Sequence, residues 1–274
     1  AARHGELACR NLPSMLPDLR IEARVARITL RDAARRNALD VQALTRLREH
    51  VSHVAAHAHA DVLVLAGDGA SFCSGFDLSL CAEEPARAAD LLEGLGACVA
   101  ALRELDIPVV ARVQGAALAG GCALLTGCDF VVAATDAQLG YPVHRIGISP
   151  VVSAPSLYSR MGPNARALMV SGDILDGTAA LARGLATHCV EPAALDAEVE
   201  RLVARLLAKG PQAMRATKRL IREIERRGAG DIGPAPARDS AATTAACSGS
   251  VGLVAGEEFA TMLRSFWAAR SQGR

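Results

Sequence analysis

Three groups of residues have types and spacings that invite a chemical reading. The stretch ASFCSGFDLS, residues 70–79, gathers a cysteine, three serines, a glycine, an aspartate and two of the chain's five phenylalanines. A nucleophile elbow needs Gly-x-Ser-x-Gly, so that a strained turn can hold the serine. Ser74 has Phe72 and Phe76 at those places, and the motif fails. The stretch GAALAGG, residues 115–121, leaves one apolar run and enters another as a phosphate loop does. No Lys-Ser/Thr follows it, and the Gly-x-Gly-x-x-Gly spacing is missing. The third group is His50, His53, His57 and His59. The first three fall beside the apolar stripe of a predicted helix, and no carboxylate or cysteine completes a metal shell at suitable spacing. A solvated helix face accounts for them, and no metal is expected.

The two glycine-containing turns gain meaning when taken together. Each ends an apolar strand, and each can present a backbone N–H outward: Phe76 after Gly75, and Gly120 at the start of a helix. Two such amides aimed at one point form an oxyanion hole, and a helix N-terminus adds its positive end there. Glycine at these places leaves room for a ligand carbonyl to approach. The alternative on spacing alone is two unrelated tight turns.

Positioning such turns requires an α/β framework, and the sequence provides one. LRIEARVARITL (19–30) partly alternates and reads as a strand or hairpin arm. Asp40 is a plausible N-cap for a helix whose apolar residues Leu44, Leu47, Val51, Val54 and Ala58 recur at helical spacing. DVLVLAG (61–67) is a continuous apolar run of the kind buried on both faces of a sheet. A helix is expected around 85–105, a strand at 108–115, a Gly-rich turn and helix at 116–128, and a strand at 129–135. Strand, turn, helix, strand recurs, which is the grammar of an α/β core. Beyond about residue 150 the chain reads as mainly helical, including 195–208 and 211–227. A Gly/Pro break (229–240) precedes a last helix carrying Phe259, Leu263, Phe266 and Trp267, a surface suited to docking on the core or on another subunit.

Bulk composition bounds the partners. The chain has 274 residues, is 51% hydrophobic and carries a net charge of +1, which offers no electrostatic case for nucleic acid or an anionic membrane. No apolar run reaches the roughly 18 residues that cross a bilayer, and no signal-peptide apolar segment opens the sequence. The eight cysteines are scattered with no CxxC pair, as suits reduced thiols in a cytoplasmic protein.

At these residues the sequence resembles the crotonase (enoyl-CoA hydratase/isomerase) superfamily. The segments that carry the resemblance are RRNALD (35–40), ASFCSGFDL (70–78), PVVARVQGAALAGGCALLTGCD (108–129), AQLGYPVHRIGI (137–148) and GPQAMRATKRLI (210–221). The resemblance implies an α/β spiral of ββα units over 19–200, after a tail at 1–18, with a helical C-terminal oligomerisation region over 201–274. It implies a homotrimer, often paired as a hexamer (a dimer of trimers). It implies an acyl-CoA thioester ligand, with coenzyme A part of the substrate and no permanently bound cofactor. The amides of Phe76 and Gly120 would hold the thioester oxygen and stabilise an enolate. Arg36, Ala38, Ser74, Phe76, Asp77, Leu78, Leu118 and Gly120 would line the CoA and acyl path. Asp77 has a second reading, as the cap of a short helix after the loop.

The sequence departs from the family pattern where acids and bases are needed. The two glutamates of the hydratases correspond to Ala123, after GGC, and Val143, in GYPV. The aspartate that some isomerases use a turn later corresponds to Val151. Methyl groups carry no protons, so ordinary hydration lacks its acid and its base. Tyr141 and His144 flank the gap and are candidate replacements, with a packing tyrosine and a surface histidine as the alternative. Glu83, Glu84 and Cys81 follow the oxyanion loop, the glutamates reading as a solvated helix start, and Arg145 could face a carboxylate, CoA phosphates or solvent. Two functions are therefore expected to compete. One is an atypical lyase, isomerase or decarboxylase that stabilises a thioester enolate; the other is a non-catalytic acyl-CoA-binding pseudoenzyme.

Overall fold

The computed structural model describes residues 15–57, 59–78 and 87–230, together with 257–258 and 261–262. The chain divides into two compact units, 1–203 and 204–274. In the first unit, β1 (Asp18–Glu22) and β2 (Val25–Leu30) form an antiparallel hairpin. Helix α1 (Val41–Ala56) follows, with the Asp40 carboxylate accepting from the Ala43 amide and Leu44, Leu47, Val51 and Val54 buried. Next come β3 (Val62–Gly67), α2 (Arg87–Glu104), β4 (Val109–Val113), β5 (Ala116–Leu118) and α3 (Gly120–Leu125). They are followed by β6 (Phe130–Ala134), β7 (Gln138–Gly140), α4 (Ala154–Met161), α5 (Pro163–Ser171), β8 (Ile174–Leu175), α6 (Gly177–Ala182) and β9 (His188–Val190). Short 3-10 turns at Pro142–Ile146 and Val151–Ser153 lead into α4. Helix α7 (Leu195–Leu207) closes the series.

Two sheets result. The larger has the order β1-β2-β3-β4-β6-β9 and the smaller β5-β7-β8. Within the larger sheet β2, β3, β4, β6 and β9 run parallel, and Ile28, Leu65, Ala111 and Val131 lie in one cross-strand row. All four are fully buried, as expected of parallel strands covered on both faces. β4 passes from the larger sheet straight into β5 of the smaller one, and β6 likewise into β7. This is the expected spiral of strand–strand–helix turns. Its consequence for the site is that β5 follows β4 directly and carries the chain to Gly120, while the segment after β3 pairs with β5 through Cys73 and Ala117.

Several local expectations change. In place of the turn and helix expected over 116–128, Ala116–Leu118 forms a strand paired with β7, and only Gly120–Leu125 is helical. β7, β8 and β9 have two or three residues each, too short to carry a period. The expected helix at 85–105 spans Arg87–Glu104. In the second unit α8 (Pro211–Gly230) exposes Leu220, Ile221 and Ile224. Its first turn is capped by Glu258, whose carboxylate accepts from the Gln212 and Ala213 amides. Ala58 of the predicted stripe, the tail before residue 15 and most of the last predicted helix lie outside the described residues. No helix among the described residues is long and apolar enough to cross a membrane.

Candidate active site

The turn carrying Phe76 is built by backbone pairing to two neighbours. Cys73 bridges to Ala117 at one end, its N–H donating to Ala116 O and its carbonyl accepting from Leu118 N. Phe76 bridges to Leu39 at the other. Here the pairing atoms belong to the residues either side of Phe76: Leu39 N–H donates to Gly75 O at 2.7 Å, and Asp77 N–H donates to Leu39 O at 2.9 Å. In a trans peptide the C=O and N–H point in opposite directions. Pinning Gly75 C=O toward Leu39 therefore aims the Phe76 N–H away from it. Gly75 adopts φ +104°, a region that L side chains rarely enter.

Side chains anchor the rest of this loop. Asn37 is buried, with φ 55°, and its Nδ2 reaches the carbonyls of Asp68, Ser71 and Phe72 at 2.9, 2.8 and 3.1 Å. Gln114 Nε2 donates to the carbonyls of Gly67 and Gly69 at 2.7 and 3.0 Å. The Arg35 guanidinium reaches Asp77 at 2.8 Å. Burial opposes the charge of Arg35, but its hydrogen bond to the Asp32 carboxylate and the charges of Asp32, Asp77 and Asp40 outweigh it and raise its pKa. Sequence reasoning singles out none of Arg35, Asn37 and Gln114. Asn37 carries the best signal, a polar residue tolerant of positive φ inside RRNALD.

The Gly120 turn uses different means toward the same end. Ala119 holds φ 51°, ψ −113°, and caps α3 without a side-chain hydrogen bond. Such a conformation costs on the order of 1–3 kcal/mol. Its N–H donates to Gly140 O at 2.8 Å, and its C=O accepts from Ala123 N at 2.9 Å. With the Ala119 carbonyl turned into the helix, the Gly120 N–H points out of it. At six residues α3 is short, so what it offers is its first free amides rather than a long dipole.

The two turns touch. A Cβ added to Gly75 would lie 3.0 Å from Ala119 Cβ and 3.6 Å from Gly120 N, and one added to Gly120 would lie 3.3 Å from Phe76 Cε1. Among the described residues neither the Phe76 nor the Gly120 amide has a hydrogen-bond acceptor. Beneath them Gly121 packs so closely on Cys73 that a side chain would meet the Cys73 carbonyl at 2.3 Å.

Both residues open into a cavity of about 200 Å³. Ser74, Phe76, Leu78, Leu118, Ala119 and Gly120 form its amide-bearing wall. The remaining lining, the facing side, consists of Ala123, Tyr141, Pro142, Val143, Ser149, Pro150, Val152 and Ser153, together with Leu92, Leu95, Ile146 and Ile148. Tyr141 is the one ionisable side chain among the described lining residues. It is 1% exposed. Its hydroxyl makes no hydrogen bond of good distance and angle among the described residues, yet Ser153 and Cys122 lie close enough to act on it as hydrogen-bonding neighbours. Burial, reinforced by Cys122, raises its pKa well above the ordinary 10.0. Burial also pushes the Cys122 thiol up to about 12. Both groups are neutral at physiological pH.

The remaining candidates are distributed unevenly. Arg36 is exposed, and its carbonyl accepts from Ser74 N at 3.0 Å; neither Arg36 nor Ala38 lines the cavity. Asp77 pairs with Arg35 instead of facing the cavity, and the short helix it is expected to cap falls at 79–86, outside the described residues together with Cys81, Glu83 and Glu84. His144 and Arg145 are exposed and do not line the cavity. Val151 is 63% exposed and is not a lining residue. Its neighbour Val152, in the same 3-10 turn, does line the cavity. Both residues are aliphatic, and neither supplies a proton-carrying group. His50 Nε2 lies 3.0 Å from Pro17 O, and His53, His57 and His59 follow one another at ring separations of 6.0 and 5.8 Å.

An α/β spiral that brings two amides without acceptors to one apolar cavity defines a class of protein that handles a polarised carbonyl. The comparisons with known proteins give the family. The model described as enoyl-CoA hydratase/isomerase matches residues 20–229, and the chain belongs to that family. A crotonyl-CoA hydratase of Syntrophomonas wolfei is 34% identical over 191 residues, 68% of this chain and 74% of that protein. A 2,3-dehydroadipyl-CoA hydratase of Escherichia coli is 32% identical over 207 residues, 74% of this chain and 80% of that protein. The crystal structure of an enoyl-CoA hydratase from Mycobacterium smegmatis superposes with a TM-score of 0.82 at 28% identity, over 94% of this chain and 97% of that one.

Proposed function

We propose that the chain binds an acyl-CoA thioester, holds its carbonyl oxygen with the Phe76 and Gly120 amides, and stabilises the thioester enolate without the acid–base pair of a hydratase. The observation that carries this reading is the pairing of two acceptor-free amides with a cavity whose described lining has no carboxylate, amine or imidazole. Addition of water to an enoyl thioester needs one group to take a proton from water and another to deliver one to carbon. Ala123 and Val143 do neither. Reactions that generate the enolate from the substrate itself need only the amides to reach it, and a proton from solvent then completes the product at the α-carbon. In decarboxylation of a β-carboxyl acyl-CoA, the C–C bond to the carboxylate breaks, its electron pair enters the enolate, and CO2 leaves. An apolar cavity favours that step by stripping water from the carboxylate, and two amides favour the enolate oxygen. Isomerisation or retro-aldol cleavage would need Tyr141 or His144 as its proton carrier; Tyr141 lines the cavity and His144 does not.

The second reading is a non-catalytic acyl-CoA binder, favoured by the aliphatic Ala123, Val143 and Val152. A homotrimer or hexamer, coenzyme A carried only as part of the substrate, and a cytoplasmic site of action complete the proposal. The five described cysteines are free, in keeping with reduced surroundings. The discriminating experiment is turnover of the purified protein with crotonyl-CoA, followed by loss of the conjugated thioester absorbance, beside CO2 release from malonyl-CoA. Slow or absent hydration with CO2 release supports the lyase. Butyryl-CoA binding with neither reaction supports the binder. Fast hydration overturns both.

A further inference from the structure

Behind the Phe76 turn, outside the cavity, Arg35 sits among three carboxylates. Its Nη1 donates to Asp77 Oδ2 at 2.8 Å, its Nε to Asp32 Oδ2 at 2.7 Å, and its Nη2 lies 3.9 Å from Asp40 Oδ2. All four side chains are 10–21% exposed. The three acids have separate local duties. Asp32 accepts from the Arg35 amide in the 3-10 turn Ala33–Arg35, Asp40 caps α1, and Asp77 follows Phe76 directly in the chain.

We propose that Arg35 is a positioning residue for the Phe76 amide, its ion pair with Asp77 holding the turn in register for a thioester oxygen. The proposal rests on the reading that this amide binds that oxygen. Segment 35–40 already grips the turn through the backbone: Arg36 O accepts from Ser74 N at 3.0 Å, Leu39 N donates to Gly75 O, and Leu39 O accepts from Asp77 N. These bonds flank the Gly75–Phe76 peptide, whose plane sets the direction of the Phe76 N–H. Gly75 at φ +104° is the one joint in the turn without a side chain to lock it. The guanidinium closes the frame from the side-chain direction. It fixes Asp77, and through it the residue on the far side of the Phe76 Cα. The planar fork suits this duty, because it addresses several carboxylates at once with directional donors. Removing it withdraws the charge shared by three neighbouring acids, and their mutual repulsion drives Asp77 outward and rotates the peptide.

The test compares two ligands that differ only at the carbonyl: butyryl-CoA, a thioester, and S-butyl-CoA, a thioether without the oxygen. Binding is measured by calorimetry, with thermal unfolding as a fold check. The intact protein is expected to prefer the thioester about tenfold, the worth of one to two hydrogen bonds. Arg35→Met is expected to reduce that preference to less than about threefold while the thioether Kd stays put. Arg35→Lys, a single point charge, is expected to restore it in part. If Arg35→Met does not fold, Asp77→Asn keeps the side-chain size, removes the charge and carries the same expectation. A merely structural role would lower the melting temperature and shift both Kd values together; that result, or a folded Arg35→Met with the full preference, overturns the proposal. No thioester preference in the intact protein overturns instead the reading of the amides on which it rests.

Discussion

The wall of the cavity formed by Phe76 and Gly120 and the facing side formed by Ala123, Val143 and Val152 are held by different physics. The first presents polar backbone groups, and it takes two residues in unfavourable or glycine-only conformations, Ala119 and Gly75, to present them. Three polar side chains from distant parts of the chain, Arg35, Asn37 and Gln114, hold that backbone in place. The second presents aliphatic side chains, beside a buried tyrosine whose hydroxyl has Ser153 and Cys122 as neighbours. The contrast separates two capacities that a carbonyl-handling site usually combines. Polarising an oxygen is a property of backbone shape, distributed over many residues and expensive to build. Moving a proton is a property of single side chains, and methyl groups at two positions suffice to remove it.

The contrast breaks most severely if the amides are dispensable. Gly120→Pro deletes the second N–H at the first helical position, the place where proline disturbs a helix least. Turnover of whichever thioester proves to be the substrate should fall by about 10²–10³-fold, the usual loss for one oxyanion donor. Gly120→Ala keeps the N–H and adds a Cβ with contacts of 3.3–3.4 Å, so it should retain most of the activity. Equal losses in the two variants would mean that crowding of Phe76, not the hydrogen bond, is responsible.

The facing side is tested by giving it what it lacks. Ala123→Glu combined with Val143→Glu should raise crotonyl-CoA hydration by about 100-fold, the lower end of general acid–base contributions. It should also destabilise the fold, because the two positions are 2% and 8% exposed and each carboxylate must be desolvated. A folded double variant with no gain would show that the cavity differs from a hydratase site in more than two side chains.

A smaller effect tests whether the two sides differ in burial as well as chemistry. Cys73, under the Phe76 turn, and Cys122, behind Tyr141, are both pushed by burial from 9.0 up to about 12, and so is Cys98. Below about pH 9 these thiols are protonated in folded and unfolded chains alike, and their contribution to stability is fully present. Between about 9 and 12 the unfolded chain loses the protons first, so stability falls as pH rises and the contribution is gone above the folded value. The urea midpoint should be flat from about pH 7 to 8.5 and decline above 9, with a slope of up to about 1.4 kcal/mol per pH unit for each thiol. Cys73→Ala and Cys122→Ala should each flatten the decline equally. A difference between them would show that one side admits water.

Legibility in the sequence follows the same division. β3 can be read as an unbroken apolar run, and α1 from its Asp40 cap and its buried stripe, because burial and capping are local patterns. The turns carrying Gly75 and Gly120 are legible as motifs. What aims them is not: Asn37 and Gln114 act on backbone carbonyls 31 and 47 residues away, and a side chain seeking a carbonyl leaves no trace in periodicity. Arg36 draws attention in RRNALD while its neighbour Arg35 makes the ion pairs, since adjacent residues in a 3-10 turn face different ways.

The smallest expected effect falls on Tyr141, and it decides whether the facing side is inert. The buried Tyr141 hydroxyl has Ser153 and Cys122 as neighbours but no hydrogen bond of good geometry among the described residues, so deleting it forfeits little. Tyr141→Phe removes the oxygen and keeps the ring that lines the cavity. Stability should therefore be unchanged or rise by up to about 1 kcal/mol. Thioester affinity should not move, since the ligand oxygen is assigned to the Phe76 and Gly120 amides rather than to this hydroxyl. If turnover is also unchanged, every proton in the reaction comes from substrate or solvent, as a decarboxylase permits. If turnover falls while stability holds, the hydroxyl swings into the cavity when ligand is bound. Its missing partner is then the substrate, and the facing side contributes chemistry after all.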